Sequence, residues 1–214
     1  MNTLIVTGGK ISLDFALTFL QDNRFECVIA ADKGLELLQK IGVEPDYIIG
    51  DFDSVSGEVL AGYKLASVVR LNPEKDFTDT EAAMRLAIDK GASSIALMGA
   101  TGTRIDHMLA NLNLLYLALE KRIPAYIIDE NNKIRLIDKS FVLYRNEACS
   151  DTVSLLPYTE EVKGITLTGF YYPLKNKNMS RYEEFSLGVS NKLTADKGSI
   201  EFESGILTVI EAKD

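Results

Sequence analysis

Short apolar runs alternate with segments of helical periodicity in the N-terminal part of the chain. The runs predict strands at residues 4–7, 27–31, 47–49, 67–71, 94–98 and 125–128. Between them apolar residues recur at helical spacing, and Thr78 with Glu81 forms a capping box at the start of one predicted helix. Strands that alternate with helices in this way predict βαβ units, and therefore an α/β fold with a mostly parallel sheet flanked by helices.

The pattern changes after Asp138. β-type runs follow one another at residues 141–144, 152–156, 164–168, 170–174, 199–202 and 206–210, and turn residues such as Pro157 and Gly169 separate them. No convincing helical segment interrupts these runs. We therefore expect two domains, an α/β domain at residues 1–138 and an all-β sandwich at residues 139–214.

Polar clusters follow several of the predicted parallel strands. They are Asp32, Gly50-Asp51-Phe52-Asp53-Ser54, Lys75–Asp79 and Gly99–Asp106. In parallel α/β sheets, ligands bind beyond the carboxyl ends of the strands. We therefore expect these separate segments to meet at one edge of the sheet.

Asp51 and Asp53 leave the third predicted strand two residues apart. In extended backbone their side chains point the same way, with Cα atoms about 6.5 Å apart. Two carboxylates this close repel unless a cation lies between them, and Mg²⁺ takes one or two carboxylates together with substrate phosphates. An Asp-rich turn hinged at Gly50 explains the same residues when they are taken alone. The convergence of further polar segments at this edge is what favours the metal site.

Two more carboxylates, Asp76 and Asp79, stand at the start of the helix that Thr78 caps. Acidic residues there complement the helix dipole, which is an alternative explanation for Asp79. Asp76 is harder to explain in this way because it precedes the cap. Four carboxylates at one edge would be a costly concentration of negative charge, which one or two Mg²⁺ ions bridging phosphate oxygens would neutralise.

The loop Gly99–Arg104 joins a strand to a helix and contains two glycines. Its amides and the helix N-terminus suit a phosphate, and Arg104 adds a bidentate donor, although the loop matches neither a Walker A loop nor a dinucleotide fingerprint. His107 is the only histidine. It is either a nucleotide or proton-transfer contact or, as we favour, a hydrogen-bonded residue in the first turn of a helix. A single histidine without cysteine or histidine partners excludes a zinc site of the usual spacing.

The segment Gly188-Val189-Ser190-Asn191 breaks the β pattern of the second domain with small polar residues. A hairpin turn is the simpler interpretation, because these residue types are typical of turns. The functional alternative is a substrate-contacting loop at the end of the sandwich.

Composition narrows the function classes. The formal net charge of −8 over 214 residues argues against binding to nucleic acid or to an anionic membrane surface, both of which need basic surface. No apolar stretch is long enough to span a membrane, and the N-terminal residues lack the features of a signal peptide. The two cysteines, Cys27 and Cys149, form no disulfide framework or metal-ligand spacing, so we expect a reducing, cytoplasmic location.

These segments, in this order, resemble the thiamine pyrophosphokinase (thiamine diphosphokinase) family. The resemblance rests on Ala31-Asp32-Lys33-Gly34, on Pro45-Asp46 leading to Gly50–Ser54, on Lys75–Asp79, on Gly99–His107 and on Ser190-Asn191. It spans almost the whole chain. There are two departures: residue 33 is Lys where a small residue is frequent, and the chain contains no Trp, so aromatic stacking on thiamine needs Phe or Tyr.

The resemblance implies an enzyme that transfers the terminal pyrophosphate of ATP to the hydroxyl of thiamine, giving thiamine diphosphate and AMP. It also implies a homodimer with active sites between subunits, in which the α/β domain binds Mg-ATP and the β-sandwich helps to bind thiamine. Asp51, Asp53 and Asp79 resemble the Mg²⁺ ligands with Asp32 and Asp76 nearby, Arg104 and Asp106 resemble the ATP-binding pair beside Thr78, Gly102 and His107, and Ser190 and Asn191 resemble the thiamine contacts.

The chemistry fits this expectation, because phosphoryl-type transfer needs positioning and charge neutralisation more than a nucleophilic side chain. Asp76 or Asp79 is the candidate acceptor of the hydroxyl proton. Two alternatives stay open. A Mg-dependent phosphohydrolase would use the same acidic cluster on water, and a non-catalytic nucleotide or thiamine diphosphate sensor would bind without turnover.

Overall fold

The computed structural model describes residues 1–51, 62–63, 65–72, 74–102, 104–183 and 186–213. Asp53, one of the predicted metal ligands, lies outside these residues. The chain divides by its packing into two compact units, Met1–Glu130 and Asn131–Asp214.

The first unit contains a six-stranded parallel sheet. Its strands are β1 (Asn2–Val6), β2 (Cys27–Ala31), β3 (Tyr47–Gly50), β4 (Ser67–Arg70), β5 (Ser94–Met98) and β6 (Ala125–Ile128), in the spatial order β4-β3-β2-β1-β5-β6. Every neighbouring pair in this series runs parallel. The parallel sheet predicted from the alternation of apolar runs is therefore confirmed.

Four described helices connect the strands of this unit: α1 (Leu13–Asp22), α2 (Gly34–Ile41), α3 (Asp79–Asp89) and α4 (Ile105–Glu120). The Thr78 hydroxyl accepts a 3.1 Å hydrogen bond from the Glu81 amide at the start of α3, which confirms Thr78 as the cap. The Glu81 carboxylate accepts hydrogen bonds from Arg85, so this contact replaces the reciprocal half of the predicted capping box. Leu4, Val6, Ala30, Ile48 and Met98 from the central strands form the core with the apolar faces of α1 and α2. None of the helices in the described ranges combines the length and hydropathy needed to cross a bilayer.

The second unit consists of two antiparallel sheets. One contains β7 (Asn132–Ile137), β14 (Leu207–Ala212), β9 (Thr152–Pro157) and β12 (Asn191–Lys192) in that order, and the other contains β8 (Phe141–Tyr144), β13 (Lys197–Glu201), β10 (Glu161–Thr168) and β11 (Leu174–Ser180). Their inward side chains form one core, with Val153 and Val209 from the first sheet and Ile165 and Ile200 from the second. This arrangement is the predicted β-sandwich.

The packing boundary falls ahead of the predicted division after Asp138. Strand β7 pairs along its length with β14, from Asn132 opposite Ala212 to Ile137 opposite Leu207, and it therefore packs with the second unit. The assignment of separate roles to residues 1–138 and 139–214 stays a prediction.

Candidate active site

Two glycine-containing loops interlock at the carboxyl ends of β1 and β5. The Gly9 amide donates a 2.9 Å hydrogen bond to the Gly99 carbonyl oxygen, and the Thr7 hydroxyl donates to the same oxygen. A Cβ atom on Gly9 would lie 2.0 Å from the Thr101 carbonyl oxygen and 2.1 Å from that of Gly99. Only glycine permits this approach, so the two loops form one main-chain platform.

A cavity of about 410 Å³ opens beside this platform, within the first unit. Segments that follow β1, β2, β4 and β5 line it, as expected for a parallel sheet. Of the predicted site residues, it is lined by Asp32, Thr78, Asp79, Gly102, Arg104 and His107. The structure therefore brings together polar segments that lie far apart in the sequence.

Asp51 and Asp79 lie close together around the ammonium group of Lys75. The Lys75 Nζ atom is 3.0 Å from Asp79 Oδ1 and 3.9 Å from Asp51 Oδ2. All three side chains are largely buried: Lys75 is 11% exposed, and each of the two aspartates is 19% exposed. Asp51 directly follows β3 and Asp79 begins α3, so two separate strand-end segments supply the cluster.

Burial and neighbouring charges shift the pKa of the Asp79 carboxyl in opposite directions. Burial raises its pKa above the usual value, the nearby ammonium group of Lys75 opposes that rise, and the charges of Asp32 and Asp51 add to it. Asp79 Oδ1, although near Lys75, is buried without a hydrogen bond of good geometry from any of the described residues. A buried carboxylate oxygen of this kind is a suitable ligand for a hard cation such as Mg²⁺.

Within the described residues, no three His, Cys, Asp or Glu side chains are placed to hold one metal ion between them. Asp53 lies outside those residues, so the described chain shows only part of the predicted ligand set. Asp76 is exposed and is not among the residues that line the cavity. The acidic cluster that the structure shows is therefore Asp51 with Asp79, with Asp32 acting on Asp79 through its charge.

Arg104 and Asp106 form a bidentate ion pair at the start of α4. The Arg104 Nε atom is 3.2 Å from Asp106 Oδ1, and its terminal nitrogen is 2.6 Å from Oδ2. Asp106 Oδ1 also accepts a 2.9 Å bond from the His107 amide. These bonds, above all those from Arg104, lower the pKa of Asp106 to about 2. Arg104 and His107 line the cavity, whereas Asp106 holds Arg104 from beside it.

Several residues at the cavity were not predicted from the sequence to be site residues. They include Lys10, Lys33, Lys75, Phe77 and Asn111. Asn111 is buried in α4, and its side-chain amide donates a 2.8 Å bond to the Ala100 carbonyl oxygen. Lys10 follows the first predicted strand, and that position alone was a signal that could have found it. No sequence signal marks Asn111, because it lies inside an apolar helix.

The predicted thiamine residues lie in the second unit. Ser190 has a left-handed backbone, with φ of 56°, and its amide donates a 3.0 Å bond to the Ser154 hydroxyl. Asn191 is buried, and its side chain bonds both the amide (3.0 Å) and the carbonyl oxygen (2.8 Å) of Tyr172. Asn191 therefore fixes the backbone that carries an exposed aromatic pair, Tyr171 and Tyr172. The two rings pack edge to face, with their centroids 4.8 Å apart.

Each of the two units matches a known family model. Residues 21–127 match the family model described as thiamin pyrophosphokinase, catalytic domain, and residues 140–207 match the model described as thiamin pyrophosphokinase, vitamin B1 binding domain. The chain belongs to the thiamine pyrophosphokinase family. The family resemblance inferred from Asp32, Gly50–Ser54, Lys75–Asp79 and Gly99–His107 is confirmed.

Individual relatives in the family match over nearly the whole chain. Thiamine pyrophosphokinase from Bacillus subtilis is 32% identical over 212 residues, covering 98% of both chains. The crystal structure of thiamine pyrophosphokinase from Bacillus subtilis superposes with a TM-score of 0.87 at 30% identity, covering 100% of both chains. That from Geobacillus thermodenitrificans superposes with a TM-score of 0.86 at 33% identity, covering 100% of this chain and 98% of the other. Thiamin pyrophosphokinase from Candida albicans, at 19% identity and a TM-score of 0.81 over 99% of this chain and 89% of the other, shares the fold.

Proposed function

We propose that this protein transfers the pyrophosphoryl group of Mg-ATP to the hydroxyl of thiamine, giving thiamine diphosphate and AMP. The observation that carries the proposal is the cavity of the first unit. It combines carboxylates, cationic side chains and a glycine platform in a chain that matches both family models. A match to a catalytic domain together with a vitamin B1 binding domain favours the kinase over the hydrolase and sensor alternatives.

The nucleotide is assigned to residues 1–138. Lys10, Lys33 and Arg104 line the cavity and supply positive charge for phosphate oxygens, and main-chain amides of the glycine loops supply further donors. Asp106 pre-orients Arg104 through its two hydrogen bonds. Thr78, Gly102 and His107 are assigned to the same nucleotide, because they line the same cavity.

The metal is assigned to Asp51, Asp53 and Asp79. Carboxylate oxygens suit Mg²⁺, and the buried Asp79 Oδ1 atom, which receives no well-formed hydrogen bond from the described part of the chain, supports the assignment. When bound, Mg²⁺ neutralises charge on the phosphate oxygens and on the departing AMP. The Asp32 charge acts on Asp79, which supports a position of Asp32 at the edge of the same site.

In the transfer step, the thiamine oxygen forms a bond to the β-phosphorus while the bond from that phosphorus to the oxygen of the AMP phosphate breaks. The hydroxyl proton passes to a carboxylate. Of the two candidates, Asp79 lines the cavity, whereas Asp76 is exposed and does not line it, so Asp79 is the better placed acceptor. Arg104 stabilises the charge that develops on the phosphate oxygens.

Thiamine is assigned to residues 139–214, with Ser190 and Asn191 at its site. Asn191 holds the Tyr172 backbone, and Tyr172 is 61% exposed. The segment that Asn191 holds thus carries an exposed, flat aromatic ring, and such a ring suits stacking on a heteroaromatic ligand. Because the chain contains no Trp, stacking on thiamine needs Phe or Tyr, and Tyr172 is assigned this role.

We further propose a cytoplasmic homodimer with active sites between subunits. Both cysteines are free, which supports a reducing compartment. Helix α4 exposes Ile105, Leu109 and Tyr116 on one side at 67%, 51% and 36%, and a second copy of the chain is the occupant that the proposed dimer supplies. Sedimentation velocity of the purified protein tests the dimer.

The decisive experiment is incubation with Mg-ATP in the presence and absence of thiamine. AMP that forms only with thiamine, together with thiamine diphosphate in equal amount, is the expected result. Phosphate release without thiamine would instead show a hydrolase, and ligand binding without any turnover would show a sensor.

A further inference from the structure

The ammonium group of Lys75 lies within the acidic cluster formed by Asp51 and Asp79. Lys75 belongs to the segment between β4 and α3, and its ammonium lies between the carboxylates of Asp51 and Asp79. The Lys75 side chain is only 11% exposed, yet it also lines the cavity assigned to the nucleotide. Its charged end is therefore held at the boundary between the acidic cluster and the phosphate cavity.

The position of Lys75 between two carboxylates affects how a metal ion can bind to them. Two largely buried carboxylates repel one another, and one positive charge between them reduces that repulsion. A divalent cation bound by the same oxygens would stand close to the ammonium, and the two positive charges would repel each other in a site shielded from water. Lys75 and Mg²⁺ therefore compete for the same two carboxylates.

We propose that Lys75 is the internal counter-ion of the metal site: it holds Asp51 and Asp79 together before the metal binds and is displaced from them when it does. This inference rests on the proposed function, because it takes Asp51 and Asp79 as the metal ligands. The displaced ammonium needs a new anionic partner. The phosphates of a nucleotide in the cavity that Lys75 lines supply one.

It follows that metal and nucleotide bind cooperatively. Mg²⁺ alone must displace Lys75 without offering its ammonium another anion, so it binds weakly. Mg²⁺ together with a nucleotide displaces Lys75 onto phosphate, so each ligand strengthens the binding of the other by the same factor. Lys75 thus couples the arrival of the metal to the arrival of the nucleotide.

The test is titration calorimetry of Mg²⁺ into the full chain, first alone and then with saturating α,β-methylene-ATP, which cannot be turned over to AMP. In Lys75→Met we expect Mg²⁺ alone to bind about tenfold more tightly than in the unmodified protein. The factor by which the nucleotide analogue tightens Mg²⁺ binding is expected to fall about tenfold. Lys75→Arg keeps the charge and should keep weak binding of the metal alone.

The matched control is Lys40→Met, which removes one positive charge from the exposed end of α2, away from the cavity. Its Mg²⁺ binding should be unchanged. Thermal unfolding gives a second readout: Lys75→Met should lower the melting temperature of the metal-free protein, and added Mg²⁺ should restore more of it than in the unmodified chain. If Lys75→Met does not fold, Lys75→Gln, which also removes the charge, provides the same comparison.

Equal Mg²⁺ affinity and equal coupling in the unmodified protein and in the variant without the lysine charge would overturn the counter-ion role while leaving the proposed function in place. No Mg²⁺ binding by the unmodified protein, even with the nucleotide analogue, would overturn the metal assignment itself and the counter-ion role with it.

Discussion

The side-chain amide of Asn111 donates a 2.8 Å hydrogen bond to the carbonyl oxygen of Ala100, from the interior of α4 to the glycine loop after β5. Asn111 is 6% exposed, so a broken bond leaves a buried carbonyl without that donor. The bond fixes the loop against the helix that carries Arg104 and His107 at its start. Asn111, which also lines the cavity, thereby helps to set the shape of the proposed nucleotide site.

Replacement of Asn111 by Ala is therefore expected to reduce the free energy of unfolding by about 1–3 kcal/mol, the cost of an unsatisfied buried polar group. The KM for ATP should rise as the loop loses its anchor. Chemical denaturation and steady-state kinetics measure the two effects. Gln39→Ala, which removes an exposed amide from α2, should change stability by less than about 0.5 kcal/mol. Similar losses in both variants would argue against an anchoring role.

Asp53→Asn is expected to abolish AMP formation and to leave the fold intact, because the amide keeps the size of the side chain but loses the charge that holds a cation. AMP is measured by chromatography, and the fold by circular dichroism. Asp89→Asn, at the exposed end of α3, is the control and should retain activity. Near-normal turnover by the Asp53 variant would remove this residue from the metal site.

Tyr172→Ala should raise the KM for thiamine about tenfold, which corresponds to the loss of about 1.4 kcal/mol of stacking. The KM for ATP should stay nearly constant, because the assigned nucleotide residues lie in the other unit. Tyr144→Ala, which removes another exposed ring of the sandwich, should change neither constant. Equal effects on both substrates would show a general structural defect instead of a thiamine contact.

The pair of Arg104 and Asp106 predicts a measurable protonation change. Arg104 lowers the pKa of Asp106 to about 2 in the folded protein. A carboxylate with a lowered folded-state pKa stabilises the fold at pH values above its unfolded pKa of about 4. This stabilisation is lost as the pH falls toward about 2. In Arg104→Met the pKa of Asp106 should return toward its ordinary value. Carbon chemical shifts of the carboxyl group, followed by NMR over acidic pH, measure it, and an unchanged pKa would contradict the pairing.

Local chemistry in the sequence was enough to predict the parallel sheet and the Thr78 cap. Both depend on residues a few positions apart, such as Thr78 and Glu81, and on apolar spacing within single elements. The order of polar segments after strands also predicted which of them would line one cavity, including Asp32, Asp79 and Arg104.

The rest depended on contacts between distant segments. The order of polar segments predicted that the exit of β3 and the start of α3 would approach each other. It did not predict that Lys75 would lie between Asp51 and Asp79. The burial of Asn191 against Tyr172 is of the same kind: a residue predicted to contact ligand uses its side chain to hold another segment. Asp76 shows the converse, since its place beside Asp79 in sequence does not bring it onto the cavity wall.

The contact of Gly9 with the carbonyl oxygens of Gly99 and Thr101 limits how this site can change. Neither loop can gain a side chain at the contact or shift without the other, so substitutions there are expected to be lost in any selection for new substrates. Lys10 and Lys33 line the cavity without occupying that contact, so their replacement changes the charge of the cavity and leaves the platform intact. Altered nucleotide preference should therefore arise from replacement of Lys10 or Lys33, while the main-chain platform of the two glycine loops stays the same.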